Sequence, residues 1–363
     1  MKILIDAREI SSSTGRYIER LIFYLQRIDN DNDYIILLKP NDFDSWSQTN
    51  PRFIKTKCSY KEFTFGEQLG LFWQIHKLKP DLVHFGMVQQ PLLCHRSIVT
   101  TMHDLTTVRF RNPSKNWLVF TVKQQVYKFV NFYIPHKSRR VIVPSNFVKI
   151  DVVRYAHVNP DKITVTYEAA DKITDPVEPL SQLVDKQFIM YVGRPLPHKN
   201  LERLVEAFAG LYEKYPNLQL ALVGKTDALY ERLKARAKTM DRKNIIFTGF
   251  VTDGQLRWLY EHCEAYVFPS LSEGFGLPGL EAMIAGAPVV SSNATCLPEI
   301  YGDAAYYFDP LNISDITRAL NDVLSSQQLR QKLIAAGSKR AAEFSWRKMA
   351  EQTLDIYQST KKR

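Results

Sequence analysis

The chain has 363 residues, 45% hydrophobic and 24% charged, with a formal net charge of +10. This is the composition of a soluble globular protein, and the length points to two domains rather than one. The four cysteines (Cys58, Cys94, Cys263, Cys296) are scattered without C-x-x-C or metal-ligand spacing, which argues against a disulfide framework and for a reducing, cytoplasmic setting.

The opening "MKILIDAREI" reads as a short buried strand running into a turn. It lacks a cationic leader followed by an apolar core, so no signal peptide is expected. No run approaches the roughly 18 apolar residues of a spanning helix, so the chain is expected not to be integral to a membrane. "GRYIERLIFYLQRI" follows with Ile18, Leu21, Ile22 and Leu25 at helical spacing. Then come the strand "YIILLK", the helical "FGEQLGLFWQIHKL", the strands "DLVHF" and "SIVTTMHD", a long basic helical region and the strand "RRVIVPS". Short β-rich runs alternating with helices predict βαβ units and parallel sheets.

After "ITVTYEAAD" the segment "KITDPVEPLSQLVDK" has prolines and no periodicity, which places a domain boundary there. The alternation then restarts: strand "QFIMYVG", helix "NLERLVEAFAGLYEKY", strand "LQLALVG", helix "ALYERLKARAKTM", strand "NIIFTGF". A helix capped by Thr252 or Asp253, the strand "AYVFPS", the helix "GLPGLEAMIAG" and the strand "PVVSS" complete the second half. "SWRKMAEQTLDIYQST" is a last helix with Ser345 as its cap. The expected fold is α/β, with Rossmann-like doubly wound domains over 1–175 and 176–344 and a C-terminal helix over 345–363. Ligands in such sheets bind beyond the carboxyl ends of the strands, which predicts a site in a cleft between the domains.

"SEGFGLPGLEA" contains a G-x-G-x-x-G after a strand and before a helix, as a dinucleotide fingerprint requires. The rest of that pattern is missing. "PSLSE" separates the strand from the first glycine, the loop comes late in its domain, and no acidic residue ends the next strand. Gly274 and Gly276 let backbone N–H groups approach an anion, aided by the helix start. Glu273 and Glu281 bracket the loop, and carboxylates accept hydrogen bonds from hydroxyls. Amides for phosphate and carboxylates for sugar point to a nucleotide sugar; a capping carboxylate and a surface glutamate are the bland alternative.

"YVGRPLPHKN" adds Arg194 and Lys199 in the loop leaving a strand, where a diphosphate would sit. "TTMHDL" places His103 and Asp104 at another strand end, for a sugar contact, a proton or a structural hydrogen bond. Gly15 precedes the first helix, where its amide could point at a phosphate. Between Asp104 and Asp151 there is no acidic residue, while Arg109, Arg111, Lys115, Lys123, Lys128, Lys137, Arg139, Arg140 and Lys149 alternate with aromatic residues. This is either a solvated helix face or a surface for anionic lipid. No nucleic-acid module is present, and nucleic acid is not expected as a partner.

Together, "EGFGLPGLE", "GRPLPHKN", "HDL", "VPSNFVK", "VTYEAAD" and "FSWRKMA" resemble the family 4 glycosyltransferases over nearly the whole chain. The resemblance implies the GT-B fold, two Rossmann-like domains with the last helix crossing back to the first, and sugar transfer with retention of configuration. It implies that Arg194 and Lys199 bind the donor diphosphate. Glu273 would hold the donor sugar with the backbone of Gly274, Phe275, Gly276 and Leu277, and Glu281 the ribose. Phe250 and Val251 would lie by the base, His103 near the reacting centre, and Gly15 at the diphosphate.

No metal or cofactor is implied, the nucleotide sugar being a substrate; no D-x-D-type pair stands at a strand end. The motif combination looks most like mannosyltransferases using GDP-mannose, with UDP-sugars as the alternative and an NAD-dependent oxidoreductase as a rival class. A glycan or lipid-linked saccharide is the implied acceptor, with peripheral contact to an anionic membrane through residues 105–150. Two departures stand out. Ser13 replaces a glycine that many relatives carry, and Glu168 stands where many have an asparagine-glycine turn.

Overall fold

The computed structural model describes residues 1–12, 15–62, 64–110, 117–239 and 244–361. Ser13, Arg111 and Lys115 lie outside them. The chain divides into two units: Met1–Val108, Val122–Glu168 and Ser345–Arg363 form the first, and Arg109–Thr121 with Ala169–Phe344 the second.

In the first unit the strands are β1 (Lys2–Asp6), β2 (Asp33–Leu38), β3 (Phe53–Lys57), β4 (Leu82–Phe85), β5 (Ser97–Thr101), β6 (Arg140–Val143) and β7 (Ile163–Val165). They pair in parallel in the order β3-β2-β1-β4-β5-β6-β7. The second unit has β8 (Phe188–Val192), β9 (Gln219–Val223), β10 (Ile245–Gly249), β11 (Ala265–Phe268), β12 (Val289–Ser292) and β13 (Ala305–Phe308), in the parallel order β10-β9-β8-β11-β12-β13. In each unit the order reverses beside the first strand, which is the doubly wound arrangement. Strands covered on both faces read as continuous apolar runs: Ile3, Leu4 and Ile5 are fully buried, as are Ile189, Met190 and Tyr191.

The helix Gly15–Ile28 buries Tyr17, Ile18, Leu21, Ile22 and Leu25, one face of a 3.6-residue repeat. The last helix, Trp346–Lys361, does the same with Met349, Ala350, Thr353, Ile356 and Tyr357 and packs on Gly15–Ile28 within the first unit. Lys348 donates its N–H to the Ser345 hydroxyl at the start of that helix. Thr252 forms a reciprocal capping box with Gln255 on the helix Asp253–His262.

One expected element differs. "FGEQLGLFWQIHKL" is a π-helical turn, Gly66–Leu71, that continues as the α-helix Phe72–Leu78. A Cβ at residue 70 would fall 2.1 Å from the Tyr60 ring, so glycine admits that ring. The same turn carries Glu67, 1% exposed, to within 2.9 Å of Arg8. Beyond β7, which stops at Val165, the chain turns so that Glu168 reaches a histidine. All four cysteines are buried free thiols. Among the described residues no helix is long and apolar enough to cross a membrane.

Candidate active site

In the second unit Arg194 and Lys199 lie on the loop leaving β8 and Glu273 on the loop leaving β11, while Glu281 lies on the helix after that loop and Phe250 and Val251 follow β10. β8 is followed by Gly193, whose φ of 140° and close approach to the Tyr191 hydroxyl both favour glycine. Arg194 follows with its side chain 57% exposed, its Nη2 2.8 Å from Asp227 Oδ2. Burial pushes the Asp227 carboxyl up, but Arg194 and the N–H groups of Tyr230 and Leu229 outweigh it and hold the carboxyl below its usual range.

The loop then turns through Pro197–Lys199. Lys199 Nζ lies 2.6 Å from Glu273 Oε1, with both side chains mostly buried, and 5.7 Å from the centre of the Phe268 ring. Two further contacts tie the loops together. Leu271 N–H donates to the His198 carbonyl at 2.7 Å. Asn200, buried and left-handed at φ 59°, donates through Nδ2 to the carbonyls of Pro269 (3.1 Å) and Pro310 (2.7 Å). Asparagine tolerates that backbone conformation and supplies the paired donors. Sequence reading passed over it; its position directly after "PHK" and before a helix was the available signal.

The glycine loop is shaped from below. Gly276 has φ 95° and its carbonyl accepts from the Tyr301 hydroxyl at 2.6 Å. A Cβ at Gly279 would fall 2.2 Å from the same hydroxyl. The third glycine of the G-x-G-x-x-G thus admits the fully buried Tyr301 ring beneath the helix Leu277–Ile284. Gly274 and Phe275 are buried and Leu277 is half-buried. Glu281, on that helix, accepts from the Tyr260 hydroxyl at 3.3 Å. Phe250 is 83% exposed and Val251 buried, just after Gly249 with φ 74°. Arg194, Lys199, Glu273 and Glu281 therefore belong to one unit; His103 and Gly15 belong to the other.

In the first unit Gly15 opens its helix with its N–H donated to the Ser12 carbonyl at 3.0 Å. A Cβ there would fall 2.0 Å from the Ile10 carbonyl oxygen, so the close loop backbone itself requires glycine. His103 Nδ1 is 3.1 Å from Glu168 Oε1 and Nε2 is 3.0 Å from the Gly86 carbonyl oxygen. Beside them, Arg8 is 2% exposed and held by Asp6 (2.7 Å), Glu67 (2.9 Å) and the Tyr60 carbonyl (3.1 Å). Burial opposes its charge, and the two carboxylates outweigh that cost. Sequence reading missed this group, because Glu67 meets Arg8 only through the tertiary fold.

Residues 14–172 match the family model described as Glycosyltransferase Family 4, and residues 178–340 match Glycosyl transferases group 1. The chain belongs to glycosyltransferase family 4. It is 34% identical over 219 residues to the serotype-specific mannosyltransferase WbdA of Escherichia coli, a stretch covering 56% of this chain and 27% of WbdA. It is 28% identical over 298 residues to the O-antigen chain mannosyltransferase B of E. coli, covering 78% of this chain and 76% of that protein. Among solved structures, Anabaena HepE in complex with UDP and glucose superimposes with a TM-score of 0.75 at 18% identity, covering 99% of this chain and 100% of that chain. The two Rossmann-like units are those of the GT-B fold.

Proposed function

We propose that this glycosyltransferase is a retaining mannosyltransferase that takes mannose from GDP-mannose and needs no metal ion. The observation that carries the donor assignment is the Lys199–Glu273 pair in the same loop system as Arg194: two cations, a carboxylate and a glycine loop in one unit. As the sugar–phosphate bond breaks, negative charge grows on the leaving diphosphate. Arg194, Lys199 and the amides from Gly274 to Leu277 meet that charge. Glu273 and Glu281 accept hydrogen bonds from donor hydroxyls, and Phe250 and Val251 flank the base. His103 contributes to the sugar and Gly15 to the diphosphate, as the family resemblance implies. The leaving phosphate assists deprotonation of the acceptor hydroxyl on the same face of the sugar.

Mannose as the sugar is supported by the names of the two E. coli relatives. A UDP-sugar is the second reading, favoured by the UDP and glucose in the structurally similar HepE. The acceptor on this reading is a glycan or lipid-linked saccharide at the cytoplasmic face of a membrane. The helix Trp117–Lys137 supports contact with anionic lipid: it exposes Val126, Phe129, Phe132 and Tyr133 and also carries Lys123 and Lys128.

The test is a donor screen by thermal shift and donor hydrolysis with GDP-mannose, UDP-glucose, UDP-galactose, UDP-N-acetylglucosamine and NAD. A ligand at about 100 times its Kd stabilises by about 2.7 kcal/mol. A shift with GDP-mannose that is lost in Glu281→Ala supports the reading; a shift with UDP-sugars alone replaces GDP-mannose, and a shift with NAD alone overturns it.

A further inference from the structure

Glu168 has no role in the scheme above, yet it is buried with its carboxylate on His103. Both nitrogens of the His103 ring face oxygens that only accept: Glu168 Oε1 at 3.1 Å and the Gly86 carbonyl at 3.0 Å. A neutral imidazole carries one N–H, so its second nitrogen would set a lone pair against an oxygen lone pair. Only the imidazolium donates to both. The neighbouring strand provides the contrast. His84 is fully buried, with Nδ1 2.5 Å from the Tyr357 hydroxyl and Nε2 2.9 Å from the Thr101 hydroxyl. Hydroxyls give or accept, so a neutral ring is satisfied there in either tautomer.

Burial adds the second argument. The Glu168 side chain is 7% exposed and that of His103 18%. A buried carboxylate is retained when an opposite charge and hydrogen bonds accompany it, and His103 is its charge partner. The ring is also fixed in place: the Tyr17 ring stands edge-on to it, centroids 5.0 Å apart at 81°, and the Tyr17 hydroxyl is tied to Thr101 at 2.9 Å. The titratable groups facing His103 are Glu168 from the segment after β7, Asp104 on its own segment, His84 from β4 and Tyr17 from the helix Gly15–Ile28. Burial pulls the His103 value down, and Glu168, Asp104 and the Gly86 carbonyl together raise it above the ordinary value.

We infer that Glu168 is a positioning residue: with the Gly86 carbonyl it locks His103 as a doubly protonated cation of fixed orientation. His103 then offers charge rather than an empty lone pair, and it is not a general base. The kinetic part of this inference rests on the glycosyltransferase donor reading; the protonation state does not.

The test is the 15N spectrum of histidine-labelled full-length protein, with the His103 signals assigned by their loss in His103→Asn. At pH 7.5 both His103 nitrogens are expected to carry protons in the wild type, and in Glu168→Gln only one. In donor hydrolysis or transfer, Glu168→Gln is expected to shift the alkaline limb of the kcat profile downward by a pH unit or more, with donor KM changed less than twofold. Glu168→Asp, which keeps the charge, should restore part of the wild-type profile. A single N–H on wild-type His103 at pH 7.5 overturns the inference, whether or not Glu168→Gln folds. So does a His103 titration that is the same in Glu168→Gln. Protonation of both nitrogens without turnover of any nucleotide sugar would defeat the donor reading and leave the assignment of Glu168 standing.

Discussion

Lys199 Nζ and Glu273 Oε1 lie 2.6 Å apart, although the residues are 74 positions apart in the chain. The loop after β8 and the loop after β11 are adjacent because those strands pair in parallel. The pair orients an amine and a carboxyl group toward each other in a mostly buried position; on the proposed reading each would exchange the other for donor groups. Lys199→Ala is expected to lower kcat by about 10²–10³-fold, the usual loss for one group that stabilises a developing oxyanion. Steady-state transfer assays check this, and a kcat within threefold of wild type would remove Lys199 from the reaction.

Arg194 separates function from stability. Its side chain is more than half exposed and its ion pair with Asp227 is at the surface, where such pairs contribute about 0–1 kcal/mol. Arg194→Ala should therefore melt within a few degrees of wild type while losing about 10²-fold in transfer. Paired melting curves and rate measurements decide it; a large loss of stability with unchanged specific activity would contradict the assignment.

Gly279 makes a packing prediction independent of any ligand. With Cβ forced to 2.2 Å from the buried Tyr301 hydroxyl, Gly279→Ala should destabilise by about 1–3 kcal/mol, the ordinary cost of overpacking. Urea unfolding measures this, and a Gly279→Ala variant as stable as wild type would contradict it.

The two histidines set opposite pH dependences. His84 is pushed down to about 3 by burial and by the nearby His103 charge. Between about 3 and its ordinary 6.5 the unfolded chain binds a proton that the folded chain refuses, so this histidine makes stability fall as pH drops through that window. His103 is raised, so its contribution is fully present below 6.5 and is lost as pH rises through its folded value. Urea midpoints at pH 5, 7 and 8.5 are expected to show a smaller alkaline loss in Glu168→Gln than in wild type.

The exposed face of the helix Trp117–Lys137 predicts lipid binding. Phe129 and Tyr133 stack with centroids 5.6 Å apart on that surface. Wild-type protein should sediment with anionic vesicles and less so as salt rises; Phe129→Ser with Tyr133→Ser should weaken it. Sedimentation that ignores lipid charge would dispose of the membrane contact.

Much of this protein was determined by sequence order alone. Alternating apolar runs dictated two doubly wound sheets, because parallel strands must be apolar on both faces and need helical crossovers to join them. "GFGLPG" after a strand dictated a glycine turn at a helix start, and the isolated cysteines excluded a disulfide scaffold. Other features depended on which loops the sheets bring together. The pairing of Lys199 with Glu273, the anchoring of Asn200 by Pro269 and Pro310, and the placement of Tyr301 beneath Gly276 and Gly279 all join segments distant in sequence. The same is true of the charge on His103. Histidine's ordinary value lies close enough to neutrality that its surroundings decide its protonation, and those surroundings are a carboxylate 65 residues away and a carbonyl from the adjacent strand's end. Local sequence carries periodicity and backbone preference; burial and hydrogen-bond polarity around a side chain exist only once the chain has folded.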